Sequence, residues 1–495
     1  MNIALFASAF HPSLGGVEEL CRQLALELMR QGHGVIVLTN RWPRGLPAVE
    51  TIDGISVYRL PFRLPEGSAK AAINYHLTHR RIEQNMLDIL RSHQIDMLHV
   101  QCVSSNAHYA MIAQERLGLP LVVTLQGELT MDANQIFQKS PQAQGILRRA
   151  LDKAQVITGC SAKTLRDGEE FYGKPFGQRG RVIFNGVNLE DFADRGGLPQ
   201  RRQGTKGDGA LGTQHLAFGM AETGKSSSAE ASAALPENVN VDRCSLFVGP
   251  PHRPYIFALG RMARQKGFDV LLRAYALVAD GGLPQRHQDT KDEGVRLATA
   301  GKPASLLADT FDSRHAGTPT APTDNTEYTD NTDHTESTVN TIPSLIIAGD
   351  GPELDDLKSL ARDLGIAGQV EFPGRADHAA VVRYMKGCEL FVLSSRADEG
   401  LPVVCAEAMG AGCAIVATRS GGAPEAVLDG QTGLLVDREN VEQLAAALQR
   451  MIADPALRKR LAAAGKARAS EFAWPKITQQ YLEAYAAAEA GESPR

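Results

Sequence analysis

Two acidic side chains lie on either side of a short turn in the second half of the chain. Glu399 precedes Gly400-Leu401-Pro402, and Glu407 follows in an expected helix, with seven residues between the two carboxylates. Because carboxylates accept hydrogen bonds from hydroxyl groups, this spacing predicts a site that holds two hydroxyl-bearing parts of one ligand. The apolar neighbours of Glu407 favour this interpretation, since an acid in apolar surroundings needs a partner. The alternative is an ordinary acid on a helix surface.

Two basic residues follow a different predicted strand, Tyr255–Leu259. Arg261 and Lys266 lie five positions apart in a loop that begins at Gly260 and ends at Gly267. A guanidinium supplies a planar fork and an ammonium a point charge, and together they suit a diphosphate. A solvated charged loop is the alternative. We favour the ligand site because ligands collect in loops at the carboxyl edge of a doubly wound sheet.

Glycine-rich loops follow other predicted strands. Gly15 and Gly16 come after the first strand and open the first helix, where unpaired backbone N–H groups and the helix dipole suit a phosphate. A tight turn is the alternative for this pair. Gly349-Asp350-Gly351-Pro352 and the segment 420–425 follow later strands, and we expect both at the same sheet edge as Arg261.

Short apolar runs alternate with amphipathic stretches along both halves of the chain. The predicted strands of the first half are Ile3–Ala7, Val35–Thr39, Ile55–Leu60, Met97–Val100, Leu121–Thr124, Val156–Cys160 and Val182–Phe184. Those of the second half are Tyr255–Leu259, Ser344–Ala348, Val370–Phe372, Leu390–Leu393, Ala414–Ala417 and Gly433–Val436. Helical periodicity separates several of them, as in Val17–Gln31 and Phe268–Ala279. The pattern predicts parallel β-α-β units and an α/β fold of two Rossmann-like doubly wound domains in tandem.

Two segments interrupt this pattern, and both are predicted to be disordered insertions. Residues 193–250 are rich in small and polar residues, and residues 280–343 end in a run with threonine at every third position from Thr320 to Thr341. Neither has an apolar stripe to bury. The 495 residues suggest about three domains by length, but removing the insertions leaves material for two.

The resulting domain boundaries are as follows. We expect an N-terminal Rossmann-like domain over residues 1–192 and a disordered inter-domain insertion over 193–250. We expect a C-terminal Rossmann-like domain over 251–472, which contains the insertion 280–343. A helix over 473–490 is expected to cross back to the first domain.

One motif is a false signal for phosphate binding. Residues Gly219–Ser226 match the pattern GxxxxGK[ST], which works only between a buried strand and a helix that packs on it. The flanking sequence offers neither, so no ATPase site is predicted there. A dinucleotide oxidoreductase is also disfavoured, because no GxGxxG follows a predicted strand in either half.

Composition restricts the partners and the compartment. A net charge of −5 over the whole chain argues against broad nucleic-acid binding. Seven cysteines without a CxxC pair resemble reduced thiols rather than a disulfide framework or a zinc site. The N-terminus lacks a signal-peptide pattern, and no run reaches the length of a membrane span. We therefore expect a cytoplasmic protein.

The ordered set of motifs resembles the retaining GT-B glycosyltransferases of family 4. The matching segments are Gly15-Gly16, Asn185-Gly186-Val187-Asn188, Gly260-Arg261 with Lys266-Gly267, Gly349-Asp350-Gly351-Pro352, Glu399-Gly400-Leu401-Pro402 with Glu407, and Gly421-Gly422. The resemblance covers almost the whole chain outside the two insertions. It implies a transferase that moves a sugar from a nucleoside-diphosphate sugar to a glycan, lipid-linked or small-molecule acceptor, in cell-envelope or polysaccharide biosynthesis.

The resemblance also implies roles for individual residues. Arg261 and Lys266 would bind the donor diphosphate, Glu399 the hydroxyls of the transferred sugar and Glu407 the ribose. The backbone of the donor site would come from Gly15, Gly16, Gly260, Gly349, Gly400, Leu401 and Pro402. Arg375 would lie in the loop that binds the base, and neither a metal ion nor a cofactor is implied.

One position departs from the family pattern. Family members often carry a histidine that contacts donor sugar and acceptor, and this chain has Gln126 in that place. Glutamine can hydrogen-bond a hydroxyl but cannot take up a proton at neutral pH, so Gln126 is expected to orient substrate. Glu128 is expected to be either polar support or exposed.

Alternatives to transfer remain open at this point. A nucleotide-sugar epimerase shares the GT-B architecture, and an inactive protein would bind donor without turnover. A peripheral contact with an anionic membrane is a further hypothesis. It rests on a basic stretch with apolar residues between its members: Arg59, Leu60, Phe62, Arg63, Leu64, Lys70, His79, Arg80 and Arg81.

Overall fold

The computed structural model describes residues 1–12, 15–64, 69–131, 136–193, 254–281 and 342–491. Both predicted insertions, apart from their edges, and the GxxxxGK[ST] motif lie outside these residues. The described chain forms two α/β domains, each built on its own sheet.

The first sheet has eight strands in the order β3-β4-β2-β1-β5-β6-β7-β8. In chain order they are β1 Asn2–Ala7, β2 Gly34–Asn40, β3 Val49–Ile52, β4 Ile55–Leu60, β5 Met97–Gln101, β6 Leu121–Leu125, β7 Val156–Gly159 and β8 Gly180–Val182. All neighbours pair in parallel except β3 and β4, which form an antiparallel hairpin. The helices are α1 Gly16–Arg30, α2 Ala69–Ser92, α3 Ser105–Leu117, α4 Glu128–Met131, α5 Ile136–Lys139, α6 Pro141–Lys153 and α7 Ala162–Tyr172.

The second sheet has six parallel strands in the order β11-β10-β9-β12-β13-β14. They are β9 Tyr255–Leu259, β10 Ser344–Ala348, β11 Val370–Glu371, β12 Leu390–Leu393, β13 Ala414–Thr418 and β14 Leu434–Val436. The helices are α8 Phe268–Ala279, α9 Leu354–Asp363, α10 His378–Gly387, α11 Val403–Ala411, α12 Ala423–Ala426, α13 Val441–Ala453, α14 Pro455–Ala469 and α15 Trp474–Glu489.

The central strands are apolar on both faces because helices cover both faces of each sheet. In β1, for example, Ile3 and Leu5 belong to one buried cluster, and Ala4 and Phe6 belong to another on the opposite face. The last helix, α15, packs against α1, β6 and β7 of the first domain. The predicted fold class, two doubly wound α/β domains in tandem, is confirmed.

Two local predictions differ from the structure. The last strand of the first sheet is Gly180–Val182 rather than Val182–Phe184. The edge strand β3 was missed, because its side chains are mostly exposed and give no buried alternation. The turn that joins β3 to β4 contains Asp53 and Gly54 at positive φ, and an Asp-Gly pair is the usual signal of such a hairpin.

Candidate functional site

The loops at the carboxyl ends of β9, β10, β12 and β13 are joined by backbone hydrogen bonds. The amide of Met262 donates to the carbonyl of Asp350 over 2.9 Å, and the amide of Gly422 donates to the carbonyl of Glu399 over 2.8 Å. Gly349 has φ +139° and lies so close to the carbonyl of Gly260 that any Cβ would collide with it. These contacts fix the edge on which the predicted donor residues lie.

Lys266 and Glu399 form an ion pair at this edge. The Nζ of Lys266 lies 2.7 Å from Oε1 of Glu399, and Ser395 donates its hydroxyl to the same oxygen over 2.6 Å. Glu399 is only 6% exposed. Within the described part of the chain, its second oxygen, Oε2, has no hydrogen-bond partner. The structure therefore joins two residues that the sequence assigned to different parts of a ligand.

Two arginines lie in the loops that follow β9 and β11. Arg261 is half-buried in the loop after β9, and Arg375 is exposed after β11. Neither side chain has an ion pair or a hydrogen bond to another residue that the structure describes. A half-buried cation without a counter-ion favours an anionic ligand.

Glu407 lies in α11 and faces a cavity between the two domains. It is 6% exposed and has no hydrogen-bond partner among the described residues. Burial raises the pKa of its carboxyl to about 7, although nearby His378 works in the opposite direction. The cavity is lined by Glu19, Leu20, Gln23, Gly186, Val187, Asn188, Asp191, Phe192, His378, Val403, Glu407 and Trp474.

The amino-terminal end of α1 already has an acidic group beside it. The carboxylate of Glu18 lies against Gly15, where a Cβ would overlap its Oε2. Burial raises the pKa of Glu18, and a hydrogen bond to its own backbone amide partly offsets this. Glu18 was not among the predicted site residues, although an acid three positions after a helix N-cap is a known capping signal.

Gln126 follows β6 in a loop that Glu128 holds. The side chain of Gln126 donates from Nε2 to Oε1 of Gln101 over 3.1 Å. Glu128 is buried and accepts the amides of Val103, Gln126 and Gly127 over 2.7, 2.7 and 3.1 Å. Burial raises the pKa of Glu128 despite these bonds. Glu128 therefore supports the loop and is not exposed.

The two domains touch directly across the cleft. A Cβ on Gly400 would come within 2.7 Å of the carbonyl oxygen of Gln126, so this turn has room only for glycine. Glu425 of the second domain accepts the amides of Ala162 and Lys163 at the start of α7, over 2.6 and 2.9 Å. These contacts join the two domains at the cleft.

The prediction that the stretch from Arg59 to Arg81 forms an exposed basic face is wrong in part. Arg59 is 1% exposed, pairs with Glu50 over 2.5 Å and donates to the carbonyl of His11. Leu60 and Phe62 are also buried. Because these three residues are internal, they cannot meet a membrane. Arg80 and Arg81 are exposed on α2.

Two features are missing from the described residues. These residues contain no group of three or more histidine, cysteine, aspartate or glutamate residues arranged to hold a metal ion. They also contain no helix with both the length and the apolar content that crossing a membrane requires.

The chain is similar to curated glycosyltransferases. Lipopolysaccharide core biosynthesis glycosyltransferase LpsE of Rhizobium meliloti (strain 1021) is 38% identical over 140 residues, which are 28% of this chain and 40% of LpsE. A GDP-mannose-dependent alpha-(1-6)-phosphatidylinositol monomannoside mannosyltransferase of Mycolicibacterium smegmatis is 38% identical over 130 residues, which are 25% of this chain and 33% of that protein. These alignments span less than half the length of either relative.

Solved structures and family models extend the similarity to both domains. HepE from Anabaena, in complex with UDP, matches with a TM-score of 0.59 at 18% identity, over 98% of this chain and 99% of HepE. Sucrose-phosphate synthase from Thermosynechococcus elongatus matches with a TM-score of 0.61 at 17% identity, over 98% of each chain. The model described as Glycosyltransferase Family 4 matches residues 14–191, and that described as Glycosyl transferases group 1 matches residues 338–468. Each model thus matches one domain and the two together match more than half of the residues, so the chain belongs to the family 4 glycosyltransferases of the GT-B fold.

Proposed function

We propose that this protein transfers a sugar from a nucleoside-diphosphate sugar to an acceptor hydroxyl, with retention of the anomeric configuration. The observation that carries the proposal is the Lys266–Glu399 pair at the edge of the second sheet, beside an uncommitted Arg261. This pair belongs to the same cleft as Gln126, which touches the Gly400 turn. The arrangement offers cations for a diphosphate and a carboxylate for a sugar at one edge of the second sheet.

In the proposed complex, Arg261 and Lys266 bind the diphosphate, with Gly15 and Gly16 close to it from the first domain. Lys266 forms an ion pair with Glu399, so the diphosphate would take over an ammonium group that already has a partner. Arg375 lies beside the base. The backbone of Gly260, Gly349, Leu401 and Pro402 completes the donor site.

Glu399 and Glu407 bind the two hydroxyl-bearing parts of the donor. Oε2 of Glu399, which has no partner among the described residues, accepts a hydroxyl of the transferred sugar. Glu407 accepts the ribose hydroxyls, which would satisfy a carboxyl group that now lies buried without a hydrogen bond to any residue the structure describes. Gln126 binds a hydroxyl of the sugar or of the acceptor.

The proposed step breaks the bond between the anomeric carbon and the donor phosphate oxygen. A bond from the acceptor oxygen to the same carbon forms on the same face, and the acceptor proton passes to the phosphate oxygen. Negative charge gathers on the leaving diphosphate, where Arg261 and Lys266 stabilise it electrostatically. Closure of the two domains over the donor would exclude water and so limit hydrolysis of the donor.

The names of similar proteins support a choice of donors to test. The mannosyltransferase of M. smegmatis is named as GDP-mannose-dependent, and HepE structures contain UDP or UDP-glucose. We therefore propose incubating the purified protein with UDP- and GDP-sugars, with and without a mixture of sugar and lipid-linked acceptors. Donor-specific release of the nucleoside diphosphate with formation of a glycoside supports transfer.

Other outcomes of this experiment refute the proposal. Tight binding of a nucleotide sugar without turnover with any acceptor indicates an inactive binding protein. Recovery of an epimerised nucleotide sugar or free sugar without a glycoside indicates an epimerase. A product with inverted anomeric configuration refutes only the retaining mechanism.

We also propose that the face of α2 makes peripheral contact with an anionic membrane. Ile73 and Leu77 are 59% and 75% exposed, and Arg80 and Arg81 follow on the same side of the helix at the next turn. Apolar side chains beside cations suit the boundary between lipid headgroups and acyl chains. Such a contact would bring the cleft to a lipid-linked acceptor.

The membrane proposal is tested with vesicles that contain or lack anionic lipid. We expect co-sedimentation with anionic vesicles at low salt, and loss of at least half of it in the double variant Ile73→Gln, Leu77→Gln. Val49→Gln is the matched control, because Val49 is similarly exposed but lies on β3. Equal binding by all three proteins, or no binding by the unaltered protein, refutes the contact.

A further inference from the structure

A buried chain of polar side chains runs from the cleft to the last helix of the protein. Gln126 donates to Gln101 over 3.1 Å, and Nε2 of Gln101 lies 3.2 Å from Nε2 of His99. Nδ1 of His99 lies 2.7 Å from the hydroxyl of Tyr485 in α15. The four side chains thus connect the cleft with a helix 359 positions later in the sequence than Gln126.

The interior of this chain is closed to solvent. His99 and Thr124 are fully buried, and Gln101 is 2% exposed. Thr124 also contacts Nε2 of His99 over 2.7 Å. Tyr481, one turn before Tyr485 on α15, packs against the ring of His99 with 5.2 Å between the ring centroids. Because each member has polar partners, the chain is a fixed network rather than a set of independent contacts.

The donor and acceptor atoms of the network determine the direction in which its hydrogen bonds run. Burial lowers the pKa of His99 to about 3, so the imidazole is neutral at ordinary pH and has one donor and one acceptor nitrogen. Nε2 faces the amide nitrogen of Gln101, which can only donate. Nε2 is therefore the acceptor, and Nδ1 carries the proton and donates it to the oxygen of Tyr485.

This direction determines how Gln126 meets a substrate. With the amide nitrogen of Gln101 engaged by His99, its carbonyl oxygen takes a proton of the Gln126 amide. Oε1 of Gln126 then has no partner within the described residues, and it remains available to accept a hydrogen bond from a hydroxyl. Reversal of the His99 tautomer would turn both amides and replace that acceptor with a donor.

We propose that Tyr485 and His99 are positioning residues that hold Gln126 with its carbonyl oxygen presented to a substrate hydroxyl. The proposal rests on the proposed function, because it assigns Gln126 to the transfer step. It gives α15 a part in the site of the first domain, although no residue of α15 was predicted to act there.

The kinetic test uses Tyr485→Phe, which keeps the ring and removes the hydroxyl. We expect kcat to fall about tenfold, as for one lost hydrogen bond, with the donor KM changed less than twofold. The matched control is Tyr255→Phe. Tyr255 is equally buried in the second domain, and its hydroxyl donates to the carbonyl of Tyr384 over 2.8 Å. This control should lose stability without loss of kcat.

A second background shows whether the effect passes through Gln126. In Gln126→Ala, the further change Tyr485→Phe should leave kcat unaltered, since the group being positioned is absent. An equal loss in both backgrounds, or a loss matched by Tyr255→Phe, overturns the proposal.

A spectroscopic readout keeps the inference separate from the proposed function. We expect ¹⁵N spectra of histidine-labelled protein to show His99 as the Nδ1–H tautomer, assigned through its loss in His99→Gln, and to show a mixed tautomer in Tyr485→Phe. An Nε2–H tautomer in the unaltered protein overturns the inference whether or not transfer occurs. Absence of turnover with every donor, together with the expected spectra, refutes only the proposed function.

Discussion

Glu407 provides a measurable conflict between stability and binding. Replacing it by glutamine keeps its size and removes its ionisation. The ordinary pKa of 4.5 rises to about 7 through burial, and this difference corresponds to about 3 kcal/mol. Since the residue is only 6% exposed, solvent screening reduces that figure little.

The sign of the effect follows from proton linkage. The folded protein binds the Glu407 proton more tightly than the unfolded chain does, so this group favours folding below pH 4.5. That contribution is lost as the pH rises through about 7. Glutamine has no such loss. We therefore expect Glu407→Gln to exceed the unaltered protein in free energy of unfolding by about 2–3 kcal/mol at pH 8 and by much less at pH 5.

Urea unfolding at pH 5 and pH 8, without nucleotide, measures this difference. The matched control is Glu483→Gln, because Glu483 is exposed on α15 and should show no gain at either pH. Thermal unfolding with and without UDP or GDP provides a second comparison. The nucleotide should raise the melting temperature of the unaltered protein and leave that of Glu407→Gln almost unchanged. Equal stability of the two proteins at pH 8 would refute the view that Glu407 is a buried, unpaired acid.

Three further predictions concern the donor site. Arg261→Ala and Lys266→Ala should each lower kcat/KM, measured by nucleotide release, by about 10²–10³-fold, because the charge on the leaving diphosphate loses stabilisation. Arg264→Ala, at an exposed position of the same loop, is the control. Normal transfer by both variants would contradict the diphosphate assignment. Glu425→Gln should weaken two charge-assisted hydrogen bonds to α7 and raise the fraction of molecules whose two domains are separated about tenfold. Inter-domain fluorescence transfer measures this fraction, with exposed Glu442→Gln as the control. An unchanged distance distribution contradicts the prediction. Glu18→Gln should lower the donor KM several-fold at pH 8, because the carboxylate competes with the diphosphate. The decrease should be smaller at pH 5, where more of Glu18 is protonated. A ratio of the two proteins' KM values that does not change with pH excludes the competition.

The strands were predictable because helices cover both faces of each sheet. Apolar runs such as Leu390–Leu393 and Ser344–Ala348 need no tertiary information to be recognised. The loops after those strands were predictable for the same reason, since parallel strands bring their carboxyl ends to one edge. Arg261, Lys266 and Glu399 could therefore be predicted to lie at the same edge from the sequence alone.

The error at Arg59 follows from the missed strand β3. From the sequence, Arg59 next to Leu60 and Phe62 resembles an amphipathic surface. In the structure its counter-ion is Glu50, which β3 brings opposite β4 in antiparallel register. A buried cation can be recognised only when the strand that carries its counter-ion is known. Because β3 was not predicted, Arg59 was assigned to a membrane-contacting surface although it forms an internal ion pair with Glu50.

Contacts between distant residues explain the rest of what the sequence did not predict. Lys266 and Glu399 are 133 positions apart, and His99 and Tyr485 are 386 apart. No local spacing encodes such pairs. Side-chain identity alone made each residue a candidate, but which oxygen is occupied and which is available depends on the packing of two domains and one returning helix.

The ion pairs already present at the candidate donor site affect how a donor would bind there. Lys266 is paired with Glu399, and the end of α1 has Glu18 beside it. Under the proposed function a diphosphate would therefore displace a carboxylate at both places, and Arg261 would be the cation it meets without a counter-ion among the described residues. Such an exchange yields less affinity than binding to free charges, because the internal pair must be given up. It also leaves the released Glu399 beside the transferred sugar, where its carboxylate can accept a hydroxyl. The same ion pair can therefore couple recognition of the diphosphate to recognition of the sugar, so that a nucleotide without its sugar engages only one of the two partners.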